Sequence, residues 1–226
     1  MPQEKSEPGK LPDVRSPDLT FHPLTPARTD ALGAVLRGGW GAGCWCMYPR
    51  HTDAQLRGLR GGGTRSQRQR EAMAVLARRQ VAPGLLAFEG DQPVGWVAVA
   101  PRPEFARIEG SRATPRVDGE DVWVIPCVTV RKTARGRGIA VALIRAAVAF
   151  AARHGAPAVE AYPREGGERI GADNAYFGTE ALFRRAGFDV VRGRLPDLPR
   201  TWVPRVAMRV TVGTDQTPPG SARREG

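Results

Sequence analysis

Cysteine and histidine are scarce in this chain, and their spacing argues against the structures that depend on them. The 226 residues contain three of each, namely Cys44, Cys46, Cys127, His22, His51 and His154. Cys44 and Cys46 are separated by one residue, which is too close for an ordinary disulfide and unlike the spacing of zinc ligands. The histidines are scattered along the chain. We therefore predict neither a disulfide framework nor a metal site.

Long apolar runs are also missing. The first 20 residues are polar, charged and proline-rich, so they lack the apolar segment of a signal peptide. The longest apolar stretch is a predicted helix at 138–152, and its amphipathic pattern fits a protein core better than a membrane span. We expect a cytoplasmic protein with no membrane partner. A disordered lead at 1–20 and a disordered tail at 213–226 are predicted to flank the folded part.

Acidic residues are too few to balance the basic ones. The chain has 34 basic and 23 acidic residues, for a net charge of +11, and 31 of the basic residues are arginine. The arginine excess over lysine, with abundant alanine and glycine, is typical of GC-rich coding and is weak evidence for nucleic-acid binding. The excess of cations over acids instead predicts an anionic partner, either a phosphate-bearing small molecule or a phosphate backbone.

One stretch, residues 122–144, organises the rest of the chain. Residues 122–130 are rich in β-branched residues and predict a strand, and an apolar helix is predicted from residue 138 onward. The turn between them, Arg135-Gly136-Arg137-Gly138, contains two glycines and no acid. A glycine turn at a helix start directs several backbone N–H groups to one point, where the helix dipole favours negative charge. We predict that this turn binds phosphate.

The turn fits neither of two common phosphate-binding motifs. It is not a P-loop, because no Gly-Lys-Ser/Thr follows. It is also a poor dinucleotide fingerprint, because that motif needs three glycines in a set spacing and an acid at the end of the next strand, within a βαβ unit.

Residues 135–140 fit the pattern R-x-x-G-x-A, and Val128-Thr129-Val130 precede them. This combination resembles the acetyl-CoA loop of the GNAT superfamily of acyl-CoA N-acyltransferases. Residues 182–191 are similar to the second signature of that superfamily, in which a helix ends at Gly-Phe and the chain re-enters the sheet. Residues 94–97 are a weaker match to a V-G strand after a hairpin turn. The resemblance implies an α/β (α+β) fold, a single domain at 21–212 with a mixed sheet of roughly six to seven strands and helices on both faces.

The resemblance also implies a cofactor and a site for it. The co-substrate would be acetyl-CoA or another acyl-CoA, with no metal. Backbone amides of the loop would hold the diphosphate, and the backbone of the preceding strand would pair with the pantetheine arm. The residues assigned to the cofactor in this way are Val128, Thr129, Val130, Arg135, Gly136, Arg137, Gly138, Ile139 and Ala140.

The order of predicted elements agrees with this layout. We predict a first strand at 20–25, helices at 29–37 and 65–80 (with Ser66 as cap), a hairpin at 85–100, a long loop at 101–119, a strand at 158–162 parallel to the central one, a helix at 175–186 and a last strand at 202–212. The glycine- and aromatic-rich segment 38–48 is interpreted as an irregular packed loop, or alternatively as a wall of the acceptor pocket. The last strand could also pair across a homodimer.

The catalytic part of the family pattern is not matched. Phe183 stands where many members have a proton-donating tyrosine, the central strand has no carboxylate, and Tyr176 replaces an asparagine. Two substitutes are candidates. Tyr176 could protonate the leaving thiolate or hold the CoA arm; alternatively, it is a tyrosine of the core. Glu160 could act as the base; alternatively, it is a carboxylate in an ion pair. Alternatively, catalysis rests on positioning and a water relay, with an N–H near Val128 polarising the thioester.

Three functional hypotheses follow. The first is an N-acyltransferase that moves acetyl from acetyl-CoA to an amine of a small metabolite, by direct attack in a ternary complex. The second keeps the fold but uses an aminoacyl-tRNA as donor or acceptor, which the charge of +11 motivates. The third is a non-catalytic module that only binds CoA.

Overall fold

The structure of the protein is a computed structural model, which describes residues 18–39, 41–166, 177–199 and 201–212. These residues form a seven-stranded sheet in the order β1-β2-β3-β4-β5-β7-β6. The strands are β1 (Leu19–Pro23), β2 (Gly84–Glu89), β3 (Gln92–Pro101), β4 (Trp123–Val130), β5 (Ala158–Ala161), β6 (Asp189–Arg192) and β7 (Ala207–Thr211). Only β4 and β5 pair in parallel, and the other neighbours are antiparallel. The predicted mixed sheet is confirmed.

The helices divide between the two faces of the sheet. They are α1 (Thr29–Leu36), α2 (Gly41–Cys44), α3 (Met47–Arg50), α4 (Asp53–Arg57), α5 (Arg65–Leu76), α6 (Ala106–Glu109), α7 (Ile139–Arg153) and α8 (Glu180–Ala186). On one face, buried residues of α7 and α8 pack with Val97 and Val99 of β3. On the other face, α1 and α5 pack with Trp96 and Ala98 of the same strand. Alternate residues of a strand point to opposite faces, so β3 carries both cores.

Helix α7 lies close to the sheet because β3 has a glycine beneath it. A Cβ on Gly95 would lie 2.6 Å from Leu143 Cδ1 of α7 and 3.3 Å from the Thr129 carbonyl oxygen of β4. A larger residue would therefore push the helix away from the strand. The close approach fixes the start of α7 against the end of β4.

Strands β4 and β5 diverge soon after they meet. Of the eight residues of β4, only Trp123 and Val124 pair with β5. On its other side, β4 has a register shift against β3, between Ala98 and Ala100, at the position of Pro126. Proline has no N–H to donate to a ladder, which favours such a bulge. The result is a fork between the two parallel strands, open on the side of the β4 C-terminal end.

Several local predictions differ from the structure. Segment 38–48 forms two single-turn helices, α2 and α3, instead of an irregular loop, and Trp45 and Cys46 between them have positive φ angles of 48° and 54°. The cap of α5 is Thr64, which makes a reciprocal capping box with Gln67, whereas Ser66 donates to the Ala42 carbonyl. Helix α4 was not predicted.

The remaining differences lie at the edges of elements. The last strand begins at Ala207 rather than at residue 202, because residues 199–206 contain two prolines and a turn. Helix α8 begins at Glu180 with Thr179 as its cap, and residues 167–176 lie outside the described part. Strand β1 begins at Leu19, just inside the predicted disordered lead; residues 1–17 and 213–226 are also outside the described part, so the disorder predicted for them stays a prediction.

Candidate cofactor-binding site

The turn between β4 and α7 presents a row of free backbone donors. Gly136 and Gly138 have φ angles of 77° and 78°, in the left-handed region that glycine enters without steric cost. A Cβ on either glycine would meet no atom within 4 Å, so both face open space. Within the described residues, the N–H groups of 136–141 have no hydrogen-bond acceptor, and the first bonded amide of the helix is that of Ala142. Such a group of N–H donors at a helix start suits an anion.

A cavity of about 190 Å³ opens at this turn. Its walls come from the end of β4, the turn, the first residues of α7 and the middle of α8. They consist of Val130, Ala134, Arg135, Gly136, Gly138, Ile139, Ala140, Val141, Leu182 and Arg185. The cavity therefore brings together six of the nine predicted cofactor residues with two from α8 that the sequence had not indicated.

The cations near the turn have different roles. Arg135 lines the cavity, and its Nε donates to the Val130 carbonyl at 3.2 Å. The side chain of Arg137, by contrast, is bound to Glu89 at the end of β2, with both Nη atoms donating to the carboxylate. This hydrogen bonding lowers the pKa of the Glu89 carboxyl from its ordinary value. The Arg137 charge is therefore neutralised by Glu89, and Arg137 is not among the residues that line the cavity.

A second arginine in the cavity wall, Arg185, was missed by sequence reasoning. The adjacent Arg184 is paired with Glu180 one turn back at 2.7 Å, whereas Arg185 has no ion pair with any described carboxylate. Arg145 of α7 donates to the Arg185 carbonyl at 2.8 Å and ties the two helices together. The similarity of 182–191 to the family signature gave the position of this helix, but not the direction of its arginines.

Alternation along β4 decides which backbone groups face the fork. The N–H of Arg131 donates to Val94 of β3 at 3.0 Å, so Thr129, two residues earlier, also faces β3. The backbone groups of Val128 and Val130 then point to the opposite side, where β5 no longer pairs. All three residues of 128–130 are partly exposed. A chain-like ligand entering the fork would meet the backbone of Val128 and Val130.

Glu160, a candidate base, lies on β5 in a buried ion-pair cluster. Its carboxylate is 1% exposed and accepts from Arg209 Nη2 at 2.6 Å and Nε at 3.0 Å. It also accepts from the hydroxyl of Tyr162, which in turn accepts from Arg102. Burial, followed by the charge of Glu160, raises the pKa of the Tyr162 hydroxyl. These contacts give Glu160 a structural role, and its role as a base stays a prediction.

The other catalytic positions are those of Tyr176 and Phe183. Tyr176 lies outside the described residues, so its assignment also stays a prediction. Phe183 is fully buried in α8 and packs edge-on against Phe188, with ring centroids 5.1 Å apart. This position therefore supplies packing and no proton.

Within the part of the chain that the structure describes, the cysteines and the possible metal ligands form no further site. The three cysteines are buried free thiols, and burial, with the charge of Cys46, raises the pKa of the Cys44 thiol to about 12. Among the described residues, no group of three or more His, Cys, Asp or Glu side chains could hold a metal ion. None of the described helices has the length and apolarity needed to cross a membrane.

Comparison with protein families identifies the class to which this fold and site belong. The family model described as the acetyltransferase (GNAT) family matches residues 53–188, more than half of the chain. The chain therefore belongs to the GNAT family of acetyltransferases. No curated protein sequence matches it.

Comparison with solved structures finds matches at low sequence identity. The GNAT-family acetyltransferase from Streptococcus pneumoniae is 14% identical over 87% of this chain and 100% of that one, with a TM-score of 0.50. PaiA N-acetyltransferase from Thermoplasma acidophilum, solved in complex with coenzyme A, is 12% identical over 86% and 99% of the two chains, with a TM-score of 0.49. The ribosomal-protein-S18-alanine N-acetyltransferase from Escherichia coli is 9% identical over 88% and 97%, also with a TM-score of 0.49.

Proposed function

We propose that this chain is an N-acyltransferase that transfers acetyl from acetyl-CoA to an amine of a small metabolite in a ternary complex. The observation that carries the proposal is the row of unbonded N–H groups at 136–141, open to a cavity whose wall contains Arg135 and Arg185. A diphosphate accepts many hydrogen bonds and carries negative charge, so it complements this arrangement. Membership of the acetyltransferase (GNAT) family supports an acyl-CoA as the donor.

The fork between β4 and β5 supports a path for the rest of the cofactor. From the turn, a pantetheine arm would run along β4 and pair with the exposed backbone of Val128 and Val130. The thioester would then lie near the bulge at Pro126. In this arrangement the N–H of Val128 would donate to the thioester oxygen and stabilise the negative charge that develops there.

The transfer itself needs a neutral amine that attacks the thioester carbon, and a proton for the departing CoA thiolate. Glu160 is 1% exposed and already bonded to Arg209 and Tyr162, so using it as a base would disrupt a buried ion pair. This favours a mechanism in which the fork positions the two reactants and water carries the protons. Tyr176 remains the candidate acid for the thiolate.

Two measurements test the proposal. Calorimetry with acetyl-CoA should show saturable binding to one site per chain, and release of free thiol should follow when a reactive amine is added. Absence of both heat and thermal shift with acetyl-CoA would remove the proposal. Binding of CoA without thiol release across a broad panel of amines would instead support a non-catalytic CoA-binding module.

A second candidate function, transfer involving an aminoacyl-tRNA, rests on the surface of α4 and α5. Five arginines on these helices or in the segments next to them form no ion pair with a described carboxylate, namely Arg57, Arg60, Arg65, Arg68 and Arg78. Such a patch on a chain of charge +11 suits a phosphate backbone. Retardation of bulk tRNA in a gel, weakening steeply with salt, would support this candidate. Full activity after ribonuclease treatment would count against it.

A further inference from the structure

We propose that Glu89 is a positioning residue for the phosphate site, because its carboxylate clamps Arg137 and holds the turn in its binding conformation. This inference rests on the proposed function and concerns how the same site is organised. Arg137 donates from both Nη atoms to the two carboxylate oxygens of Glu89, with Nη1 to Oε2 at 3.0 Å. A bidentate pair of this kind fixes the direction of the guanidinium as well as its position.

The clamp acts at the point where the turn is least restrained. Arg137 is the single residue between Gly136 and Gly138, both of which have positive φ. Glycines lose more conformational freedom on ordering than other residues, so a turn with two of them is costly to fix. The N–H groups of 136–141 form no internal bonds that could supply rigidity. Within 136–138, the one backbone hydrogen bond among the described residues is accepted by the Gly138 carbonyl, from the Ala142 N–H. The Arg137 side chain therefore adds a restraint that the backbone of the turn lacks.

Glu89, the other member of the ion pair, is held firmly by the sheet. Glu89 is the last residue of β2, which pairs with β1 on one side and β3 on the other. The same hairpin holds the start of the turn, since the Arg131 N–H donates to Val94 and Arg131 Nη1 donates to Pro93. The β2–β3 hairpin thus anchors both the entry and the centre of the turn.

An alternative role for Glu89 predicts the opposite effect. If the carboxylate merely neutralised Arg137, its removal would add a free positive charge near the turn and tighten the binding of an anion. If the carboxylate organises the turn, its removal would increase the entropic cost of ordering the turn, and CoA binding would become weaker. The sign of the change in CoA affinity therefore separates the two roles.

The test measures the Kd for CoA by calorimetry on four variants. We expect Glu89→Gln to weaken binding about fivefold, although it makes the protein more positive. Arg137→Gln should weaken binding by a similar factor, and the double variant no further, because both changes remove one interaction. The reversed pair, Glu89→Arg with Arg137→Glu, should recover part of the loss.

The matched control is Asp30→Asn on α1. It makes the same change in charge and breaks an exposed ion pair with Arg70 at 2.6 Å, away from the turn. We expect its affinity for CoA to equal that of the wild type. Thermal unfolding of all variants should show that the fold is retained, since both members of the Glu89–Arg137 pair are partly exposed.

The outcomes are distinguishable. If the wild type binds CoA and Glu89→Gln binds it equally or more tightly, the clamp is overturned and the proposed function stands. A double variant whose loss equals the sum of the two single losses would also overturn it, since the two residues would then act separately. A wild-type protein that gives no heat with CoA would remove the proposed function and the clamp with it.

Discussion

The role of the glycine turn can be tested by comparing two glycines of the same helix. Gly138 precedes the first residue of α7, and Gly155 follows its C-terminal end; both have a φ of 78°. An added Cβ would meet no atom within 4 Å at either position. Replacement by alanine therefore introduces the same backbone strain at both sites and no steric clash with the protein. Gly155→Ala is the matched control for Gly138→Ala.

The two variants should lose similar stability but differ in their affinity for CoA. Holding an alanine in the left-handed region costs roughly 1–2 kcal/mol, which for a chain of this size lowers the midpoint of thermal unfolding by roughly 2–8 °C. Both variants should show this loss. Only Gly138→Ala should also weaken CoA binding, because relief of the strain turns the adjacent N–H groups away from the ligand. Loss of one such charge-assisted bond corresponds to about 10- to 100-fold in affinity.

The assay combines thermal unfolding with calorimetric titration of CoA for the wild type and both variants. A Gly138→Ala variant that binds CoA as tightly as the wild type would refute the assignment of the turn to the phosphate. A similar loss of affinity in both would show that the effect arises from general destabilisation.

Three further predictions concern the cavity, the packing and the pH dependence of stability. Arg185→Met should weaken CoA binding about 3- to 10-fold in calorimetry, whereas Arg184→Met should not, because only the former side chain lines the cavity. Gly95→Ala should reduce the free energy of unfolding by about 1–3 kcal/mol in denaturant titration, because its Cβ would lie 2.6 Å from a leucine methyl of α7. Asp118 accepts hydrogen bonds from Arg209, and these, with a backbone N–H bond, lower the pKa of its carboxyl from 3.8 to about 2. Its contribution to stability is therefore present above pH 3.8 and lost as the pH falls towards 2, so Asp118→Asn should destabilise the protein at pH 6 and have little effect at pH 2.

The strand, turn and helix around residue 136 could be predicted because their signals are local. A run of β-branched residues, two glycines and an apolar helix lie next to one another in the sequence, and the parallel strand after the helix follows from the handedness of such crossovers. The bulge and the fork were not predicted, although Pro126 gave a local indication. How far β4 and β5 stay paired depends on contacts across the whole sheet.

Side-chain partners could not be predicted, because they join residues far apart in sequence. Arg137 was predicted to belong to the phosphate-binding turn, but the pairing of its side chain with Glu89, 48 residues earlier, was not predicted. Glu160 meets Arg209, 49 residues later, in a cluster that also contains Arg102. The left-handed conformations of Trp45 and Cys46 also have no local signal, since neither residue type favours a positive φ.

The central claim is that the backbone amides at 136–141 bind the diphosphate of CoA, and amide hydrogen exchange resolved by residue tests it most directly. In the free protein these N–H groups have no acceptor within the described residues, so we expect fast exchange. Saturating CoA should slow exchange at several of them, whereas pantetheine, which lacks the diphosphate, should leave them fast. Exchange at 136–141 that stays unchanged while CoA is bound elsewhere on the protein would contradict the account.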